Sequence, residues 1–452
     1  MSTATPLHSP PSTPPTTSPT KVAAASFVGT TVEWYDYFLF GTAAVLVFDK
    51  QFFPTLDPAA ATLAALATFA VAFVARPLGG VVFGHFGDRL SRKSMLVWSL
   101  LAMGAATFAI GLLPNYATIG IAAPVLLVTL RLIQGLAVGG EWGGAIVMAL
   151  EHAPPSRKSF YASWPQAGVP AGIVLSSGIF YLVQLMPEAQ LQSWGWRIPF
   201  LLSAVLIMVG LMIRLRIEES PEFASMQEEK KDRGIPLVEL LRTSKRAIVV
   251  SVLSLAGSNT LFYVATVYLL SYGTDVAQFE RGHILLAITL GAFLDIFAIP
   301  LVAVLADRHG RQRMMLVGTA VTAASAFPIF WLVNLGTTWG LVAALVLALP
   351  VAHSFVYATV SGFIATLFRP EVRFTGSSVS YQVGGIVTSA PAPILASLLY
   401  LEFNTYAAVA GYLVAANVVA FIAVLCAPAE HRAADPRPTA DQTREAVEAL
   451  VR

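Results

Sequence analysis

Residues 84–95 read GHFGDRLSRKSM, a short charged turn held between two long apolar runs. Residues 304–314 read VLADRHGRQRM in the same setting, with Asp307-Arg308 answering Asp88-Arg89. A charged, glycine-bearing turn cannot lie in hydrocarbon, where no water satisfies its backbone. Each copy must therefore sit at a membrane surface and join two spans tightly. The echo marks a duplicated membrane protein.

Composition agrees with that reading. Of 452 residues 56% are hydrophobic and 12% charged, against about 25% charged in soluble domains, which makes this a polytopic membrane protein. A net charge of +2 offers no basic field for nucleic acid, and the lone Cys426 excludes an intramolecular disulfide. No nucleophile–base set, metal-ligand spacing or phosphate loop stands in the chain, so neither an enzyme nor a cofactor nor a bound metal is expected.

A span needs about 20 apolar residues. Breaks at charges, Pro and Gly place twelve, at roughly 22–48, 59–84, 94–113, 119–149, 161–185, 197–217, 247–273, 281–305, 313–334, 338–364, 374–400 and 404–426. The expected fold is an all-α polytopic membrane protein, its twelve transmembrane helices forming two pseudo-symmetric six-helix bundles over 21–217 and 247–426. Residues 1–20, rich in Ser, Thr and Pro and without the apolar core of a signal peptide, read as a disordered tail. Residues 218–246, with Lys230, Lys231, Arg233, Arg242, Lys245 and Arg246, form a cytoplasmic linker. Residues 427–452 form a cytoplasmic tail whose end, TADQTREAVEALVR, suits a short amphipathic helix capped by Thr439. With both termini cytoplasmic, about twenty-three of the 28 Lys and Arg lie inside and about three outside, as the positive-inside rule requires of a multi-pass protein of the plasma (inner) membrane.

The loop Asp88-Arg89-x-x-Arg92-Lys93, preceded by Gly84, resembles the signature joining spans 2 and 3 of the major facilitator superfamily. Ser91 replaces the usual Gly; the second copy keeps Gly310 and Arg311 but has Ala303 for the first Gly. GTTVEWYDYFLFG at 29–41, RPLGGVVFGHFGDR at 76–89, RLIQGLAVGGEWGG at 131–144 and EESPEF at 218–223 resemble the metabolite:proton symporter family within it. That family includes bacterial carriers of organic acids such as shikimate and of proline and betaine. The resemblance implies the major facilitator fold and a role for the Arg131-x-x-Gln134-Gly135 motif in proton coupling. Glu151 to Arg157, EHAPPSR, resembles a further loop motif; Arg373 answers Arg157, while Leu367 stands where its second Glu would be. The inner network is therefore expected to be lopsided, carried by Asp88, Arg89, Glu151, Arg157 and Glu219.

An ionised residue at mid-membrane costs about 2.5–3.5 kcal/mol even on the lenient insertion scale, so each asks for a partner or a purpose. Glu33 and Arg131 both reach mid-depth, on spans 1 and 4. Asp36 lies one helical position (i+3) from Glu33, so the two carboxyls, out of water and close together, favour holding a proton. Glu33, Asp36, Arg131 and Asp295 are the candidates for proton coupling, against the alternative that Glu33 and Arg131 form a permanent structural ion pair. Arg131 equally suits a solute carboxylate through its rigid fork. Asp295, mid-depth in span 8, has no obvious mate in its own half. Glu141, nearer the cytoplasmic end of span 4, belongs either to an inner network or to the solute site, the former favoured by its depth, and Arg76 either pairs with Asp36 or satisfies carbonyls freed by Pro77. Tyr37, Arg131, Gln134, Gln166, Asn259, Tyr263, His353, Tyr357 and Gln382 are the candidates for a solute cavity. Gly84, Asp88, Arg89, Arg92, Lys93, Glu151, Arg157, Asp307, Arg308 and Arg311 are the candidates for a cytoplasmic gate.

The expected function is a proton-coupled secondary active transporter, a symporter importing a small organic anion or zwitterion by alternating access of two rocking bundles. An osmosensory carrier of betaine or proline type is the alternative. The partners expected are the small-molecule solute, protons and membrane lipid, for a monomer without nucleic acid.

Overall fold

The computed structural model describes residues 18–219 and 236–428. The expectations for the N-terminal tail, the middle of the linker and the C-terminal tail with Thr439 lie largely or wholly outside those residues. Six long helices precede the linker: α1 (Pro19–Ala43), α2 (Pro58–Arg89), α3 (Arg92–Leu112), α4 (Ala122–His152), α5 (Pro155–Gln184) and α6 (Arg197–Leu215). Six follow: α7 (Lys245–Asp275), α8 (Arg281–His309), α9 (Arg311–Val333), α10 (Thr338–Thr366), α11 (Pro370–Phe403) and α12 (Tyr406–Leu425). The described part of the linker adds a short helix, Pro236–Thr243, whose Leu240 is buried. Ten of the twelve are long and apolar enough to cross a membrane on the residues described. The chain is a multi-pass membrane protein of twelve helices in two six-helix bundles.

Helices suit this setting because each satisfies its backbone internally. Their outer faces carry large apolar side chains such as Leu301, Phe297 and Leu398, which are exposed and belong in lipid. The ends are set by local chemistry. Asp57 accepts the Ala60 N–H at 3.1 Å to start α2, and Thr337 accepts that of Gly340 to start α10. At the two signature turns the solutions differ. Gly310 takes φ +90°, the left-handed region open to glycine, whereas Ser91 stays extended at φ −174° and caps α3 by accepting the Ser94 N–H at 2.9 Å. Serine is tolerated in the first copy because no left-handed residue is needed there.

Among the described residues π-helical stretches lie at Ala44–Phe48, following α1, at Leu191–Gly195, before α6, and within α7 (Val264–Tyr268), α10 (Leu347–His353) and α11 (Gly385–Ser389). Such bulges re-aim side chains and favour functional positions. Between the bundles α2 packs on α11 and α5 on α8. A Cβ on Gly84 of α2 would stand 2.8 Å from Thr375 Cα of α11, so only glycine allows that approach.

Candidate functional site

Between the bundles lies a narrow cavity lined from both sides. Trp34 of α1, Phe73 and Arg76 of α2 and Val169 of α5 line it from the first bundle. The second bundle contributes Asn259, Phe262 and Tyr263 of α7, His353 and Tyr357 of α10, and Tyr381, Gln382, Gly385 and Ser389 of α11. Three π-helical stretches thus end or begin at its wall, at His353, just after Tyr263, and at Gly385. Five of the cavity candidates, Asn259, Tyr263, His353, Tyr357 and Gln382, line it. Tyr37, Arg131, Gln134 and Gln166 stand outside its wall.

Each of those four has another place. Tyr37 shares a hydrogen bond with Tyr263 across the bundles. Gln166 is fully buried: its Oε1 accepts the Trp142 indole N–H at 2.7 Å and its Nε2 donates to the Tyr357 carbonyl at 3.1 Å. Gln382, its counterpart on α11, donates to the Gly139 carbonyl of α4 at 3.1 Å. The two glutamines therefore tie α5 to α10 and α11 to α4 by equivalent side-chain-to-backbone bonds.

Arg131 and Gln134 belong to a buried relay. Arg131 Nη1 donates to Gln134 Oε1 at 2.9 Å, Gln134 Nε2 donates to Thr107 Oγ1 at 2.6 Å, and Thr107 Oγ1 donates to Asp36 Oδ2 at 2.6 Å. The Arg131 guanidinium also lies 3.7 Å from the Phe40 ring centroid. Asp36 and Arg131 are thus joined through two neutral residues of α3 and α4 instead of by direct contact, and Asp36 Oδ1 lacks a hydrogen-bond partner. Glu33, one turn earlier, is buried with Oε2 unpartnered. No Glu33–Arg131 ion pair is present among the described residues. Glu141 pairs instead with Arg214 of α6, and Ser99 donates to its Oε2 at 3.0 Å.

In the second bundle Asp295 does have a mate. His353 Nδ1 lies 3.1 Å from Asp295 Oδ2, both groups buried, while Asp295 Oδ1 has no hydrogen-bond partner. The sequence hides this pair because α8 and α10 meet only through packing.

Arg76 takes neither role expected of it. It lies over aromatic rings, 4.6 Å from the Phe73 centroid, 5.0 Å from Tyr37 and 6.0 Å from Trp34, and its Nε has no partner. It lines the cavity without having been expected there, as do Phe73, Phe262, Tyr381 and Ser389; spacing along single helices gave no signal for them, because packing between helices decides which residues face the cavity.

At the end of the molecule bearing the signature turns, the bundles are joined twice in the same way. Asp88, at the end of α2, accepts the N–H groups of Phe374 at 3.3 Å and Thr375 at 2.9 Å, near the start of α11. Asp307, at the end of α8, accepts those of Ser159 at 2.7 Å and Phe160 at 2.9 Å, near the start of α5. Each carboxylate of one bundle caps a helix N-terminus of the other, where unsatisfied donors and the helix dipole favour an anion. Arg92 and Arg373 both pair with Glu151, Arg92 also donates to the Pro370 carbonyl at 3.0 Å, and Arg311 donates to Ser159 Oγ at 2.9 Å. Lys93 holds Glu219 and the Leu215 carbonyl. Arg89, Arg157 and Arg308 are exposed. The network is more even than expected: Asp307 mirrors Asp88, and Arg373 rather than Arg157 reaches Glu151.

Comparison with known proteins places this architecture. The family model of the Major Facilitator Superfamily matches residues 26–391 and 286–451. The inner membrane metabolite transport protein YhjE of Escherichia coli K12 is 42% identical over 90% of this chain and 93% of its own length. The shikimate transporter of Escherichia coli K12 is 41% identical over 91% and 95%. The proline/betaine transporter of Escherichia coli K12 is 32% identical over 95% and 88%. Among solved structures, the proton:xylose symporter XylE superposes with a TM-score of 0.72 at 15% identity, covering 90% of this chain and 94% of that one, a likeness of fold.

Proposed function

We infer that this chain, which belongs to the major facilitator superfamily, is a proton-coupled symporter importing a small organic anion or zwitterion by alternating access. It is a transporter and not an enzyme. The observation that carries the symport reading is the buried run Asp36–Thr107–Gln134–Arg131 beside the cavity, with one Asp36 oxygen left unpartnered. An intramembrane carboxylate joined to a guanidinium through neutral hydrogen bonds can take up a proton and release the cation's field to a solute. Glu33, one turn away, and the Asp295–His353 pair are further proton-holding groups on this reading. The names of the relatives, carriers of shikimate and of proline or betaine, support a small organic solute.

The end bearing the signature turns is the cytoplasmic one, with both termini there, in the plasma (inner) membrane; the basic linker and loops support it. Residues 21–217 and 247–426 then rock as two bundles within a lipid-surrounded monomer, and 218–246 links them on the cytoplasmic side. Opening that side requires Asp88 and Asp307 to leave their helix N-termini and Glu151 to release Arg373, so these contacts act as the gate. The osmolyte alternative draws on the 32% identical proline/betaine relative.

Purified protein in liposomes tests the reading with a panel of organic acids and betaine. Uptake is expected only with an imposed inward proton gradient. Solute flux indifferent to that gradient would sink symport.

A further inference from the structure

Arg76 is a buried guanidinium in the cavity wall, and among the described residues it makes no ion pair. A charge so placed is costly unless something pairs with it. Its planar fork matches a carboxylate, and it is the one fixed cation among the lining residues. A solute with one carboxylate completes it. A second carboxylate would find no second fixed cation there.

A quaternary ammonium needs an open ring face, and several rings of this cavity already have one face covered. Arg76 itself covers Trp34 and Phe73. Trp142 stacks on Tyr381 at 3.7 Å between ring centroids. His353 covers Tyr357 at 4.5 Å and Phe262 at 5.1 Å. A cationic head would also stand beside a like charge.

The second recognition group is His353. Its Nδ1 is turned to Asp295, which leaves Nε2 as its polar atom for the cavity. With the Nδ1 proton donated to the carboxylate, Nε2 accepts a hydrogen bond. Resting on the reading that this cavity is the solute site, we propose that Arg76 holds the carboxylate of a compact hydroxylated monocarboxylate and that His353, positioned by Asp295, accepts a hydrogen bond from its hydroxyl. Arg131, outside the cavity wall, is left to the relay.

Binding to the purified full-length protein, measured calorimetrically without any gradient, tests this with four probes: quinate, its hydroxyl-free parent cyclohexanecarboxylate, succinate and glycine betaine. Quinate is expected to bind tightest and cyclohexanecarboxylate about tenfold more weakly, about 1.4 kcal/mol, with succinate and betaine weaker still. Arg76→Gln is expected to lose at least about tenfold in quinate affinity, with Arg76→Lys between it and the parent. His353→Gln should bring quinate and cyclohexanecarboxylate together without changing the latter. Betaine or succinate binding as tightly as quinate, binding by none of the four, or unchanged quinate affinity in folded Arg76→Gln would each overturn the assignment. The ranking in the unaltered protein decides even where a variant fails to fold. Because no gradient is used, a failure of symport leaves this result standing, and the reverse.

Discussion

Asp36 and Glu33 share one turn of α1 yet meet different surroundings. The Thr107 hydroxyl reaches Asp36 Oδ2 at 2.6 Å, whereas Glu33 Oε2 has no hydrogen-bond partner and feels Glu141, Arg76, Arg214 and Asp36 only through charge. A buried unsatisfied oxygen costs about 1–3 kcal/mol, and a bound proton relieves it by removing the charge. Asp36→Asn keeps an oxygen for Thr107 and Glu33→Gln keeps the shape of its side chain, so both variants should fold. In liposomes each is expected to lose gradient-driven accumulation while retaining counterflow exchange, since exchange needs no net proton movement. Gradient-driven uptake at the parent level in both variants would remove α1 from the coupling assignment and leave Asp295. These positions were legible in the sequence because ionisable residues are rare in spans. Arg76 was visible as a residue but its place in the cavity wall was not: spacing along one helix does not say which face meets the other bundle. The His353–Asp295 contact, between residues 58 apart, was hidden for the same reason.

Element ends were read closely because caps and breakers are local. All twelve helices appear near their expected bounds, and the Ser91 for Gly exchange resolves into an N-cap. What local chemistry did not reveal is that each signature carboxylate serves a helix of the opposite bundle. Asp88 meets the start of α11, and Asp307 meets the start of α5. An anion at a helix N-terminus contributes about 0.3–1 kcal/mol, up to about 2 where partly buried. Loss of one such contact therefore shifts the balance between sealed and open forms of this end by up to about 30-fold. Asp88→Asn and Asp307→Asn are each expected to populate the open form, and the double variant more than either alone. With the lone Cys426 replaced by Ser, cysteines at the exposed Arg157 and Arg308 carry spin labels across the bundles. Distance distributions unchanged in both single variants would count against the gate assignment.

For the whole molecule the deciding quantity is the charge carried per cycle. The membrane potential supplies about 2.3 kcal/mol per net charge per 100 mV, about 50-fold accumulation when one positive charge enters. A zwitterion with one proton would gain that factor. A monocarboxylate with one proton carries no net charge and gains none of it. The cavity wall has one fixed cation and the first bundle one carboxylate–guanidinium relay, which on the proposed reading matches one negative charge against one proton. Uptake in proteoliposomes clamped with potassium and valinomycin is therefore expected to be insensitive to potential. It should rise about tenfold for each unit of inward pH gradient, since one proton per solute transmits about 1.4 kcal/mol per unit. An accumulation ratio that grows with negative-inside potential at fixed pH gradient would show net positive charge entering. It would then require either a second proton, for which Glu33 and the Asp295–His353 pair are the remaining buried holders, or a zwitterionic solute, and the four-probe ranking separates those two.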